Sequence, residues 1–307
     1  MSGAMFGRIA IIGVGLIGAS LARAAAAKGL AGEIALFDLS ADVRARAGAL
    51  GLGQVCETAA EAAAGADLVI LCAPPAALGA AAAAVAPGLK PGAILTDVGS
   101  VKAAVIDQVG PLVPPGVAFI PGHPVAGTEQ SGPEAGFASL FEGRWCILTP
   151  QEGAPWHDAA ALDRLSAFWT GLGSKVEIME PRRHDLVLAI TSHVPHLIAF
   201  TTVATAADLE TVTEAEVVKF SAGGFRDFTR IAASDPVMWR DVFLLNKDAV
   251  IEMLGRLSED LTALRRAIRW GDAKTLEDTF ARARAVRRDV IEAGQDSPAP
   301  NFGRDRS

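Results

Sequence analysis

The chain has 307 residues, of which 50% are apolar and 21% charged, with a formal net charge of -7 and a pI near 5.3. That length accommodates two domains, each able to bury a full core. The acidic balance argues against nucleic acid or an anionic membrane surface as the main partner.

The residues around Arg8 to Ile12 read as a strand, not as the basic, apolar and cleavage-site series of a secretory signal. Further strands are predicted near 33–37, 67–72, 93–97 and 117–121, alternating with alanine-rich helices. This rhythm implies a parallel sheet with helices on both faces. The longest alanine-rich stretch, Ala76 to Pro91, is broken by Gly79, Pro87 and Gly88 and is too weakly apolar to span a membrane. Two more strands are expected at Arg144 to Thr149 and Lys175 to Met179, with a helix around 159–171 between them. After Pro181 the pattern is helical only, over 183–208, 213–221, 235–270 and 272–293. The arginines of the last helix (Arg282, Arg284, Arg287, Arg288) read as a solvated face. The expected fold is therefore α/β: a Rossmann-type doubly wound, mostly parallel sheet over 1–180, then an all-helical domain over 181–294. The polar tail 295–307 is expected to be disordered. Cys56, Cys72 and Cys146 are odd in number and far apart, without metal or redox spacing. They are read as buried thiols in a reducing cytoplasm, and no metal is expected.

Five short motifs each follow a predicted strand, the place where open α/β sheets bind their ligands. The first, Gly13-Val14-Gly15-Leu16-Ile17-Gly18, opens a helix and is followed twenty residues past Gly18 by Asp38. That context is the dinucleotide fingerprint: glycines for a tight turn and close approach, a helix N-terminus for the pyrophosphate, and an acid for the ribose. The carboxylate favours NAD over NADP, although Arg44 and Arg46 follow soon after. A turn or cap role is the alternative for Asp38, and Ser40 or Asp42 is an alternative cap. Cys72-Ala73-Pro74 after the third crest strand is assigned to the cofactor side. Ser100 ends Asp97-Val98-Gly99-Ser100 and is either a helix cap or a partner of a histidine or substrate hydroxyl. His123, in Gly122-His123-Pro124, stands as a loop histidine whose position on the crest makes it a candidate base.

The helical half contributes Thr191-Ser192-His193-Val194-Pro195-His196. Two histidines three apart share one helix face, and Pro195 removes the bond to the Thr191 carbonyl and kinks the helix. A zinc pair there lacks a third ligand. The run Gly224-Phe225-Arg226-Asp227-Phe228-Thr229-Arg230 and the later Trp239 suit capture of a carboxylate. The competing reading of the arginines in this segment, Arg226, Arg230 and Arg240, is a surface ion pair with Asp227 or Asp241.

Together these motifs, with Asp97 to Lys102 and Gly122 to Glu129, resemble the prephenate/arogenate (cyclohexadienyl) dehydrogenase family of tyrosine biosynthesis over residues 8–250. The glycine loop is widespread; the other four motifs occurring in this order are more specific. The resemblance implies an oxidoreductase that removes hydride from ring C4 of a 4-hydroxycyclohexadiene with loss of CO2. It implies His123 as base, Ser100 orienting it or the hydroxyl, and Arg230 gripping a carboxylate. His193, His196, Trp239, Thr128 and Glu129 would line the substrate pocket. It further implies a homodimer formed through the helical domain, and NAD as cofactor. Neither a chorismate mutase segment before the glycine loop nor an effector domain after the last helix is expected. Any inhibition by tyrosine is thus expected at the active site. A β-hydroxyacid-type dehydrogenase is the alternative enzyme, but it relies on a lysine for which only Lys219 and Lys247 are candidates between 181 and 270. A silent dinucleotide sensor would have no use for His123, Ser100 and Arg230 together.

Overall fold

The structure, a computed structural model, describes residues 4–128, 130–208 and 214–292. Glu129 and the tail 295–307 lie outside the described residues. From the N-terminus the elements are β1 (Phe6–Ile12), α1 (Leu16–Ala27), β2 (Ala31–Phe37), α2 (Ala41–Ala49), β3 (Gln54–Val55), α3 (Ala59–Ala63), β4 (Leu68–Leu71), α4 (Leu78–Val85), β5 (Ile94–Asp97), α5 (Ala103–Val109) and β6 (Ala118–Ile120). A second small sheet follows as β7 (Gly122–Pro124), β8 (Trp145–Leu148) and, after α6 (Ala159–Gly171), β9 (Lys175–Ile178).

β4 and β5 are buried along their whole length, which is why they read as unbroken apolar runs. All pairings among β1 to β6 are parallel, in the order β3-β2-β1-β4-β5-β6, so the sheet is doubly wound as expected. One face packs Phe6, Ile9, Ile11 and Ile70 against α1 and α6 through Leu21, Phe168 and Trp169. The other packs Ala10, Val69, Leu71 and Leu95 against α3, α4 and α5 through Ala62, Leu78 and Val105. Alanine-rich helices fit here because small side chains let them lie close to the sheet. The two-residue edge strand β3 escaped the sequence pattern because it is too short to show a period.

The register explains how separate motifs share one edge. Ile12 lies opposite both Phe37 and Leu71, Leu71 opposite Asp97, and Thr96 opposite Ile120. The residues that follow, Gly13, Asp38, Cys72, Val98 and Pro121, therefore leave the sheet along one line. One expectation needs correction: His123 is not in a loop. It is the middle residue of β7, opposite Ile147 of β8 in an antiparallel pair.

The helical part begins with α7 (Pro181–Leu188), runs through a π-turn (Ala189–His193) and continues as α8 (Val194–Ala207). The π-turn stands where Pro195 removes a backbone donor, so the helix widens by one residue. By length and composition this run, Pro181–Ala207, is apolar enough to cross a membrane. Its His184, Asp185 and His193 are instead buried within the protein. Next come α9 (Glu214–Phe220), α10 (Gly223–Thr229), a 3-10 turn (Arg230–Ala233), α11 (Pro236–Leu245), α12 (Lys247–Trp270) and α13 (Ala273–Glu292). The helix expected over 235–270 is two helices, α11 and α12, because Asn246 leaves helical geometry (φ -108°, ψ 30°). By its contacts the chain divides into units 1–250 and 251–307, so the helices up to Val250 form one body with the sheet.

Candidate active site

The glycine loop has the shape a dinucleotide needs. Gly13 is left-handed (φ +100°), and a Cβ there would lie 2.7 Å from the Cys72 carbonyl oxygen. A Cβ on Gly18 would lie 2.0 Å from the Gly13 oxygen, so only glycine lets α1 seat against the loop. At Gly15 an added Cβ meets nothing within 4 Å, which leaves room over the start of α1 for a pyrophosphate. Asp38 accepts from the backbone N–H of Val14 (2.8 Å) and of Ser40 (2.9 Å). Its carboxylate has about four acceptor sites, so it can hold the loop and a ribose hydroxyl together. Ser40, not Asp38, caps α2. Arg44 is turned to the Asp38 carbonyl (2.9 Å) and Glu57 (3.3 Å), and Arg46 to Asp42 and Glu134. Both arginines that weakened the case for NAD are thus engaged with acids. Burial raises the thiol pKa of Cys72, so the side chain that precedes Ala73 and Pro74 is a neutral thiol.

Beyond β5 the site is a buried polar cluster. The ammonium of Lys102, fully buried, donates to Asp97 (2.5 Å) and to the Gly122 carbonyl (2.6 Å). Asp97 also accepts from the N–H groups of Gly99 (2.7 Å) and Gly122 (3.3 Å). Burial pushes the Asp97 carboxyl up and the Lys102 ammonium down, while their mutual attraction opposes both shifts. The pair ties the Ser100 turn to the strand of His123. Ser100 itself is half-buried and does not cap α5. That work is done from α7, where Asp185 accepts from the backbone N–H of Lys102 (2.7 Å) and Ala103 (2.9 Å).

His123 is buried, and its Nδ1 lies 2.8 Å from Nε2 of His184, whose Nδ1 lies 2.9 Å from Asp185 Oδ1. Burial, followed by the nearby His184, Lys102 and His193, holds the His123 pKa well below 6.5. Burial likewise lowers His184, against the pull of Asp185. Both rings are therefore neutral at pH 7. His184, Asp185, Asp97, Lys102 and Asn246 were missed as site residues in the sequence. The available signal was a His-Asp pair just ahead of an apolar helix run, and a lysine beside the Ser100 turn.

The two histidines of the helical half converge on Trp239. His196 stacks on its ring at 3.6 Å between centroids (23° between planes), and His193 meets it edge-on at 6.0 Å. Nδ1–H of His196 donates to the Ser192 carbonyl (2.9 Å). The side-chain NH2 of Asn246 donates to the Asp185 carbonyl (2.9 Å) and faces Nδ1 of His193 (3.0 Å). Burial depresses the His193 pKa to about 4, so Nδ1 accepts and Nε2 carries the proton. That Nε2–H and the indole N–H of Trp239 are buried without a hydrogen-bond partner among the described residues. Unpaired buried donors are uncommon and point to a missing acceptor. Trp239 and Val242 also pack on Val101, which brings α11 to the Ser100 turn.

Arg230 is exposed at the start of its 3-10 turn, which packs against α8, the helix of His196. Asp227 and Asp241 pair with Arg226 (3.3 Å) and Arg240 (2.7 Å), so the ion-pair reading holds for those two arginines. Thr128 is exposed and accepts from the N–H of Gln130 (3.2 Å). Among the described residues no group of three or more His, Cys, Asp or Glu side chains is arranged to hold a metal.

Residues 21–178 match the family model of the prephenate dehydrogenase nucleotide-binding domain, and residues 180–282 that of the prephenate dehydrogenase dimerization domain. The chain is 42% identical to cyclohexadienyl dehydrogenase of Zymomonas mobilis over 92% of its own length and 96% of that protein's. It is 35% identical to prephenate dehydrogenase of Bacillus subtilis over 70% of its own length and 57% of that protein's. In structure it is similar to Aquifex aeolicus prephenate dehydrogenase in complex with hydroxyphenyl propionate and NAD+, with a TM-score of 0.84 and 32% identity. That similarity covers 92% of this chain and 98% of the other. Synechocystis arogenate dehydrogenase is similar at a TM-score of 0.78 and 26% identity, covering 92% and 99%.

Proposed function

The chain belongs to the prephenate dehydrogenase family of oxidoreductases, and from that premise we propose that it catalyses the NAD-dependent oxidative decarboxylation of prephenate, arogenate or both. The products are 4-hydroxyphenylpyruvate and tyrosine, respectively. One observation carries this reading: His123 is a buried imidazole kept neutral beside the sheet edge that bears the glycine loop and Asp38. A neutral imidazole in that place is a base ready to accept a hydroxyl proton.

When bound, NAD supplies the acceptor for the hydride. Gly13 to Gly18 and Asp38 hold it, and Cys72, Ala73 and Pro74 wall its crest. His123 takes the proton of the ring 4-hydroxyl as the C4–H bond gives up its electron pair. The bond from C1 to the carboxylate breaks to release CO2, and its electron pair completes the aromatic ring. The phenolate oxygen then regains a proton. Aromatisation makes the step downhill, so positioning and a base are what the protein must provide. Ser100 orients the hydroxyl at the turn after β5. Arg230 pairs with a substrate carboxylate, while His196, Trp239 and the unpaired N–H of His193 line the pocket, with Thr128 and Glu129 at its edge. Tyrosine shares arogenate's amino-acid side chain and para-oxygen, so it would compete for this same site. The match to a dimerization domain supports a homodimer formed through the helices.

Incubating the protein with NAD and either prephenate or arogenate, while following NADH absorbance and the phenolic product, tests the reading. NADH and the matching phenol formed together from at least one substrate are expected. Turnover of neither would overturn it.

A further inference from the structure

The reading of His123 as base leaves open which ring nitrogen does the work and what fixes it. A carboxylate can only accept, so the contact between Asp185 Oδ1 and His184 Nδ1 requires the proton on that nitrogen. In a neutral ring the other nitrogen, Nε2, is then an acceptor. Its partner at 2.8 Å, Nδ1 of His123, must be the donor. The lone pair of His123 is left on Nε2. This is the tautomer less favoured by free histidine in water, so the surroundings must impose it.

We propose that His184 and Asp185 are positioning residues: Asp185 fixes the tautomer of His184, His184 fixes that of His123, and Nε2 of His123 is thereby the basic nitrogen. The inference rests on the reading of His123 as base and adds to it a fixed nitrogen and a reason for it. Asp185 suits the task because its three remaining contacts leave it no freedom. Oδ1 accepts from the Lys102 N–H and from His184, and Oδ2 from the Ala103 N–H. Its backbone carbonyl is held by Asn246. An asparagine in its place would turn an NH2 toward one of these donors. The same carboxylate thus anchors the Ser100 turn and orders the histidine pair, so hydroxyl-orienting group and base are set by one side chain. When His123 takes the substrate proton at Nε2, its Nδ1–H stays bonded to His184. The new positive charge is then shared toward the Asp185 carboxylate, and no proton has to travel along the chain.

The test uses His184→Gln and His184→Leu in the full-length protein with NAD bound, together with ¹⁵N spectra of the histidine rings. A glutamine oxygen can still accept from Nδ1–H of His123; a leucine cannot. In the unaltered protein His123 is expected as the Nδ1–H tautomer. His184→Leu should lose that signature and roughly tenfold to a hundredfold in kcat with KM nearly unchanged, and His184→Gln should recover most of both. An Nε2–H tautomer in the unaltered protein would overturn the inference even if the variants fail to fold. Equal loss in the Gln and Leu variants would overturn it too. In either case the reading of His123 as base would stand or fall separately, on the activity of His123→Asn.

Discussion

Gly15 and Gly18 belong to one motif, yet their surroundings separate them. The Cβ of an alanine at 18 would lie 2.0 Å from a backbone oxygen, while one at 15 meets nothing, and Gly15 has an ordinary negative φ of -80°. Gly18→Ala should therefore lower the melting temperature of the protein alone. Gly15→Ala should leave melting unchanged and weaken NAD binding by roughly tenfold or more, since the added methyl fills the space of the phosphates. Calorimetry of both variants, with and without NAD, checks this; a stability loss at Gly15 would contradict it. At His123, replacement by Asn should cut turnover by roughly a hundredfold or more with substrate affinity kept, the pattern of a lost base. Arg230→Ala should act mainly through KM, because a charge-assisted contact to a carboxylate is made in ground and transition states alike. Near-normal turnover in the first variant, or an unchanged KM in the second, would reassign those roles.

Helix ends and interruptions, more than helix interiors, assemble the site. The first turn of α5 exposes N–H groups that its own sequence does not cap, and Asp185 reaches from α7 to accept them. The π-turn ahead of Pro195 sets His193 toward Asn246 and Trp239. The break between α11 and α12 puts the Asn246 amide where it serves both Asp185 and His193. A leucine or alanine at 246 would leave a buried carbonyl and a buried ring nitrogen without their donor. Asn246→Ala should cost about 1–3 kcal/mol, measurable by urea denaturation at pH 7.5. A loss within error of zero would mean that water replaces the amide.

For the whole molecule, three buried histidines and the half-buried His196 set the response to acid. His123, His184, His193 and His196 all have pKa values pushed below 6.5, each chiefly by burial. The unfolded chain then binds more protons than the folded one below about pH 6.5. The stability they confer is complete above that pH and declines as pH falls. For His193, whose pKa falls to about 4, the loss between those limits is about 3 kcal/mol. Melting temperature should thus drop steadily between about pH 6.5 and 4, and a flat profile across that window would contradict the burial of these rings. The helical unit 251–307 exposes Ile251, Leu261, Ile268, Trp270 and Phe280, an apolar surface suited to a second copy. Light scattering should report twice the 31.7 kDa of one chain; a monomer at micromolar concentration would refute the dimer.

The sequence alone determined the parts of this protein whose signals are local. Unbroken apolar strands, the Gly13–Gly18 turn and its helix, and Asp38 at its fixed distance each follow from backbone sterics and periodicity within a few dozen residues. So did the interruption that Pro195 imposes. What only the tertiary structure decided involves groups far apart in the chain. His123 looked like a loop residue because a three-residue strand has no period, and its antiparallel partner is β8, more than twenty residues on. For Ser100 a helix cap stayed one of two readings, because nothing nearby hinted that a carboxylate 82 residues after Ala103 would take that place. The Asp185–His184–His123 chain and the Asp97–Lys102 pair exist because burial makes an unpaired charge or N–H costly. Which distant group then pairs with which is settled by packing, and no spacing in the sequence encodes it.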